Sequence, residues 1–202
     1  FHIDVQAANP DISINLTDTS MTVPWGILKG DSIINELNLG DGMAWWFIEK
    51  PSEEDSVHTI CQTGDVLTLY ACGLTLEKMN FTLNVSPPKT DMAKVFPLRH
   101  KNFPDPNDPW GNWVTPLYVT EGAPVIDTIG NAPYAMRVDS LYEFLEKAPG
   151  ATWTIEWVDG VERVDLKYGD KLIVTAEDNT TIKEYFIDVQ EIQLNSNADL
   201  AI

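Results

Sequence analysis

The chain has 202 residues, of which 44% are hydrophobic, enough to form one large core or two small ones. With 31 acidic and 13 basic residues its formal net charge is −18, which repels nucleic-acid backbones and anionic lipid surfaces and argues against both as partners. The sequence contains no run of about 18 apolar residues, so we predict no membrane-inserted segment.

The beginning of the chain repeats a pattern that occurs again near its end. FHIDVQ at residues 1–6 is similar to YFIDVQ at residues 185–190. We therefore expect residues 1–8 to be the last strand of a preceding repeat, or a strand that inserts into a neighbouring protomer. Because neither an initiator methionine nor a signal peptide opens the sequence, we expect a mature or excised segment of a longer protein.

The longest regularity is a match between residues 9–86 and residues 115–202. Four blocks recur in the same order: DSI (31–33) as DSL (139–141), WFIE (46–49) as WTIE (153–156), GD (64–65) as GD (169–170), and Val85 as Val189. The offset between the two copies drifts by only a few residues over the whole match. This pattern indicates an internal duplication and predicts two tandem units.

Each unit is predicted to contain one short helix and several strands. In the second unit Ser140 and Glu143 have the spacing of a capping box, and Asp31 and Asp139 are predicted to be helix caps. Runs rich in β-branched and aromatic residues follow the helix, and their alternation predicts half-buried strands separated by turns. The predicted fold class is mainly β, with two small β-sandwiches that each carry one short helix.

Residues 87–114 lie between the units and are dense in proline and polar turn formers, which predicts a structured linker or an insertion packed on one domain. This segment contains the best metal candidate, a group of hard oxygen ligands at short spacing: Asp105, Asn107, Asp108 and Asn112. Calcium bound there would stiffen the array, and a simple turn is the alternative interpretation. We expect no cofactor besides this possible structural calcium.

Two tryptophans, Trp110 and Trp113, accompany these residues. Exposed tryptophans stack on sugar rings or anchor a protein partner, so this loop is a candidate binding surface. The alternative is that both side chains cover the linker onto a domain. Trp46 and Trp153, by contrast, occupy matched strand positions and are predicted to be core residues.

The sequence offers little for catalysis or for a zinc site. Cys61 and Cys72 are either one disulfide or two small buried residues, and the counterpart of Cys61 in the second unit is Leu166. The three histidines lie in separate segments without a neighbouring nucleophile or a metal-ligand spacing. We therefore predict a protein without enzymatic activity.

The second unit resembles a module repeated in large secreted and cell-surface proteins of bacteria. The resemblance rests on GDKLIVTAEDNTTIKEYFIDV, preceded by DSLYEFLEKAPGATWTIEW, and it covers the second unit well and the first only loosely. Those modules are Ig-like or cadherin-like β-sandwiches, and the resemblance implies two tandem Ig-like repeats. It implies no catalytic residues.

From these observations we expect a non-enzymatic structural or adhesive segment of a bacterial cell-surface or secreted protein, such as a stalk, adhesin or filament element. Its partners would be neighbouring repeats or protomers of the same protein. One alternative is a glycan- or surface-protein-binding module that uses the loop of Trp110 and Trp113. A further alternative is a subunit that polymerises by strand exchange through residues 1–5.

Overall fold

The structure, a computed structural model, describes residues 5–39, 43–49, 57–71, 77–99, 116–122 and 126–191. These residues form mainly β-structure, as predicted, with two short helices. The first half contains β1 (Val5–Ala7), β2 (Ser13–Asn15), β3 (Ser20–Pro24), α1 (Asp31–Asn35), β4 (Leu37–Leu39), β5 (Met43–Glu49), β6 (Val66–Ala71) and β7 (Glu77–Ser86). The second half contains β8 (Val95–Pro97), β9 (Tyr118–Thr120), β10 (Thr128–Ala132), α2 (Val138–Glu143), β11 (Leu145–Lys147), β12 (Thr152–Glu156), β13 (Lys171–Thr175) and β14 (Ile182–Val189).

The first unit, β1 to β7, consists of a five-stranded sheet and a two-stranded sheet. The larger sheet has the order β2-β3-β7-β6-β5, and the smaller one pairs β1 with β4. In β6 Leu67 and Leu69 point to the same face and are both fully buried, and Thr68, which points to the opposite face, is fully buried as well. The two leucines belong to a core that also contains residues of the smaller sheet and of α1, namely Val5, Ile33 and Leu37.

The second unit, β8 to β14, has the same arrangement. Its five-stranded sheet has the order β12-β13-β14-β10-β9, and its two-stranded sheet pairs β8 with β11. Alternation in β13 buries Leu172 and Val174, and alternation in β14 buries Tyr185 and Ile187. Their core also includes Val95 from β8.

The two units correspond strand by strand, so that β1 to β7 of the first unit are equivalent, in the same order, to β8 to β14 of the second. In both, the only parallel pairing among the described strands joins the third strand to the seventh, β3 to β7 and β10 to β14. Outside the strands, the N–H of Cys61 donates to Ile27 O and that of Leu166 donates to Met136 O, both at 2.8 Å. Cys61 and Leu166 are thus equivalent and both buried, in agreement with the sequence match.

The predicted helix caps are wrong. The N-cap residues are Gly30 and Arg137, and neither helix has a side-chain capping bond. Ser140 lies inside α2, because the helix already begins at Val138, whose N–H donates to Val164 O at 3.0 Å. This contact with another loop satisfies the first N–H of the helix without a capping side chain.

Two of the predicted segments contain a short strand. Val5–Ala7, within residues 1–8, which we predicted to be the last strand of a preceding repeat or an exchanged strand, pairs with β4. Val95–Pro97, within residues 87–114, which we predicted to be a structured linker or an insertion packed on one domain, pairs with β11. In both cases a short strand completes a two-stranded sheet over an apolar core, which its sequence alone does not specify.

Trp153 is partly buried and packs against the second core instead of lying wholly within it. Its ring stacks on Tyr142 with centroids 4.7 Å apart. The side chain of Trp46 lies outside the described part of the chain. In the described residues, neither helix has the length or the apolar character needed to span a membrane.

Candidate functional site

Each unit buries one aspartate in its Gly-Asp turn. Asp65 and Asp170 are both fully buried, and the glycines before them have φ values of 98° and 94°, which suit glycine. The N–H of Gln62 donates to Asp65 Oδ2 at 2.8 Å, and the N–H of Lys167 donates to Asp170 Oδ2 at 2.7 Å. The two turns are therefore built in the same way.

The charge of each buried aspartate is balanced by a cation from a different place in the fold. Lys29 lies 3.0 Å from Asp65 Oδ2, and Arg163 lies 2.6 Å from Asp170 Oδ1. Asp170 Oδ1 also accepts from the N–H of Val158. Because the carboxylate oxygens of Asp170 accept both a cation and backbone N–H groups, this pair is suited to holding the turn and its neighbouring loop together.

Charged, aromatic and cavity-lining residues gather where the two units meet, and we call this region the joint. Its apolar part consists of Trp25 and Gly26, which follow β3, and Phe96 in β8. The rings of Trp25 and Phe96 make an edge-to-face contact with centroids 5.3 Å apart. A Cβ atom on Gly26 would lie 3.1 Å from Phe96 Cζ, so the ring packs directly on the glycine backbone.

Two hydrogen bonds, one between backbone groups and one from a threonine side chain, also join the two units. Arg99 N donates to Val57 O at 2.8 Å, and Thr59 Oγ1 donates to Pro97 O at 2.8 Å. The loop of residues 57–60 in the first unit is thereby fixed to the segment around β8 in the second. These bonds fix the orientation of one unit relative to the other more closely than apolar packing alone would.

An ion pair, His58 with Glu146, is the electrostatic centre of the joint. His58 Nδ1 lies 2.7 Å from Glu146 Oε2, and the Glu146 side chain is only 16% exposed. Glu146 Oε1 is buried and has no hydrogen-bond partner in the described part of the chain. Burial raises the pKa of Glu146 above its ordinary value, and the nearby His58 offsets part of that rise.

Two cavities of about 390 Å³ and 760 Å³ open beside the joint and share Trp25, Pro87 and Pro88 in their walls. In the smaller cavity Lys89 lies 2.9 Å from Asp11. That contact crosses from the connecting segment to the first unit. The cavities thus lie beside the contact between the two units, next to the segment that connects them.

The predicted site residues fall elsewhere. The calcium candidates Asp105, Asn107, Asp108 and Asn112 and the binding candidates Trp110 and Trp113 all lie outside the described residues. Within the described ranges, no group of three or more His, Cys, Asp or Glu residues could hold a metal ion. Cys61 is a free buried thiol, and burial raises its pKa to about 12, which opposes formation of a nucleophilic thiolate.

Sequence reasoning missed the joint itself. His58 and Glu146 are 88 positions apart in the chain, and each residue alone has an unremarkable sequence context. The only available signal was the recurrence of a Pro-aromatic pair, Pro24-Trp25 and Pro133-Tyr134, at the same place in both units.

Comparisons with protein-family models, with curated proteins and with solved structures find no match for this chain. Functional inference therefore rests on the duplicated architecture and on the joint.

Proposed function

We propose that this chain is a load-bearing segment of a bacterial cell-surface or secreted multi-repeat protein, composed of two tandem Ig-like β-sandwich units and without enzymatic activity. Its role is mechanical reach and presentation, as a stalk, adhesin or filament element. The observation that carries the proposal is the parallel pairing of an early strand with the last strand in each unit.

This pairing determines how tension acts on a unit. β3 pairs in parallel with β7 over five positions, from Ser20 opposite Thr82 to Pro24 opposite Ser86. We call the parallel pair of β3 with β7, and that of β10 with β14 in the second unit, the seam of each unit. The start of β3 and the end of β7 therefore lie at opposite ends of the first seam. A pull on the two ends slides the strands along each other and loads all their hydrogen bonds together, whereas an antiparallel terminal pair would open one bond at a time.

The seams are also well supported. Met21, Val23 and Leu83 of the first seam are fully buried, and the N–H of Thr82 adds a bond to Thr19 O at 3.0 Å. In the second seam the N–H of Phe186 donates to Asp127 O at 2.8 Å. Both units are thus suited to transmit force, and the joint between them passes the force from one unit to the other.

Single-molecule pulling on the 202-residue chain from both ends tests the proposal. We expect two unfolding events at high force, one per unit, and Thr82→Pro should lower the force of one event only, because proline cannot donate the seam bond. Lys78→Pro is the matched control, since Lys78 lies in β7 before the positions that pair with β3. Two low-force events, or a Thr82→Pro variant that resists like the parent chain, would show that the seams bear no load.

A further inference from the structure

The side of the first unit that contacts the second has an equivalent in the second unit. In the first unit this loop face consists of residues 24–28 and 57–60. Ile27 corresponds to Met136, because their carbonyl groups accept from the equivalent N–H groups of Cys61 and Leu166. The residues just before them correspond as well, Trp25 to Tyr134 and Gly26 to Ala135. The backbone conformation agrees, since Gly26 and Ala135 both have positive φ, 91° and 57°.

The second loop of this face also has its equivalent. The N–H of Lys29 donates to Thr59 O, and the N–H of Val138 donates to Val164 O, so Thr59 corresponds to Val164. Thr59 is bound to the following unit, whereas Val164 is 54% exposed. Tyr134 is 61% exposed, although its counterpart Trp25 packs on Phe96. The second unit thus presents an apolar copy of a surface that is covered in the first.

The receiving side is duplicated as well. In the second unit this strand face is the β8–β11 pair, in which Phe96 lies opposite Glu146. In the first unit it is the β1–β4 pair, in which Gln6 lies opposite Asn38. A hydrogen bond just beyond each pair confirms the register, from Ala8 N to Glu36 O at 2.9 Å and from Leu98 N to Phe144 O at 2.8 Å.

The two strand faces differ in what covers them. Phe96 is only 9% exposed because the first unit packs on it, whereas the equivalent Gln6 and Asn38 are exposed. Within the part of the chain that the structure describes, the strand face of the first unit and the loop face of the second are therefore exposed, while the same two kinds of face meet in the joint.

We propose that the loop face of the second unit, centred on Tyr134 and Val164, binds the β1–β4 strand face of a second copy of this chain, head to tail. The occupant is inferred from the joint, in which an equivalent loop face already lies on an equivalent strand face. This proposal rests on the tandem-repeat part of the proposed function. Because the two surfaces are different, the contact is heterologous and leaves a free face at each end, so it extends into a filament.

The chemistry of this contact differs from that of the joint. Asn38 takes the place of Glu146, and Arg163 takes the place of His58 but is already bound to Asp170. The His58–Glu146 pair is therefore not reproduced, and the aromatic anchor Tyr134 carries the contact. Each copy has a net charge of −18, so added salt should tighten the association by screening the repulsion.

Cross-linking between two single-cysteine variants tests the proposal. Gln6→Cys and Ala135→Cys, each in a Cys72→Ser background, are mixed and treated with a short bis-maleimide, and Cys61 stays unreactive because it is buried. Ala135 is exposed beside Tyr134, so this variant keeps the aromatic anchor, and we expect a covalent dimer from the mixture. Ile182→Cys replaces Ala135→Cys in the control, since Ile182 is also exposed, 59%, but lies at the other end of β14.

Equal cross-linking with Ile182→Cys would indicate random collision and overturn the proposal. So would efficient linkage of Ala135→Cys to itself, which would indicate a two-fold dimer, or the absence of any dimer. Sedimentation velocity gives a second readout. We expect Tyr134→Glu to raise the dissociation constant of self-association about tenfold and Ile182→Glu to leave it unchanged. Pulling experiments on single chains do not depend on association, so failure here is distinguishable from failure of the proposed function.

Discussion

Glu146 shows how a single residue can make the joint sensitive to pH. Its carboxylate is shielded from water and one of its oxygens has no partner among the described residues. Burial raises its pKa, with His58 opposing the shift, so the folded chain holds this proton more tightly than the unfolded chain does. The resulting contribution to stability is fully present below the ordinary pKa of 4.5 and is lost as pH rises through the higher folded-state value.

We therefore predict that Glu146→Gln, which cannot titrate, gains stability relative to the parent chain as pH rises above about 4.5. Urea unfolding at a series of pH values measures this difference. Glu143→Gln is the control, because Glu143 is an exposed glutamate in the same region. A Glu146→Gln variant that becomes relatively less stable with rising pH would mean that the ion pair with His58 outweighs the cost of burial.

At the scale of elements, the loops that follow β3 and β10 have the same positive-φ backbone but different neighbours. Gly26 faces Phe96 across the joint, whereas Ala135 belongs to the exposed loop face of the second unit. The same conformation is therefore combined with tight packing in one unit and with an open surface in the other. Glycine is required only where both constraints act together.

The two positions should respond differently to exchange of their residues. Gly26→Ala is predicted to cost about 1–2 kcal/mol, because the new methyl group meets the Phe96 ring in a backbone conformation that alanine disfavours. Ala135→Gly should change the free energy of unfolding by less than about 1 kcal/mol, since relief of strain offsets the added freedom of the unfolded chain. Urea denaturation of both variants measures these values, and a neutral Gly26→Ala would show that Phe96 moves away easily.

At the scale of the whole molecule, the joint decides whether the two units behave as one. Trp25 from the first unit packs against the core of the second, and the joint also contains the His58–Glu146 pair and the hydrogen bond from Thr59 Oγ1 to Pro97 O. Such contacts couple the unfolding of two units that each have their own core.

We predict that the parent chain unfolds in one calorimetric transition and that Trp25→Ala, at a cost of about 2–3 kcal/mol, separates it into two. The equivalent substitution Tyr134→Ala removes an aromatic ring of similar size from the free loop face and should leave the single transition intact. Scanning calorimetry compares the three chains. Two transitions in the parent chain would mean that the joint is too weak to couple the units.

Several features of the fold could be predicted from the sequence because they depend on local pattern. The alternation around Leu172 specifies which face of β13 is buried, and the repeated Gly-Asp pair specifies a turn at the same place in each unit. The correspondence of Cys61 with Leu166 followed from spacing alone. Helix starts were not predictable, since Arg137 and Val138 are held by a distant loop instead of a capping side chain.

The sequence by itself determined a mainly β chain with a duplicated order of elements, because periodicity and turn residues act over a few neighbouring positions. Only the tertiary structure decided where the short strands β1 and β8 pair, which cation balances each buried aspartate, and how Trp25, His58, Phe96 and Glu146 form the joint. These contacts join segments far apart in the chain. Their energies come from burial and charge pairing, which depend on what the fold brings together.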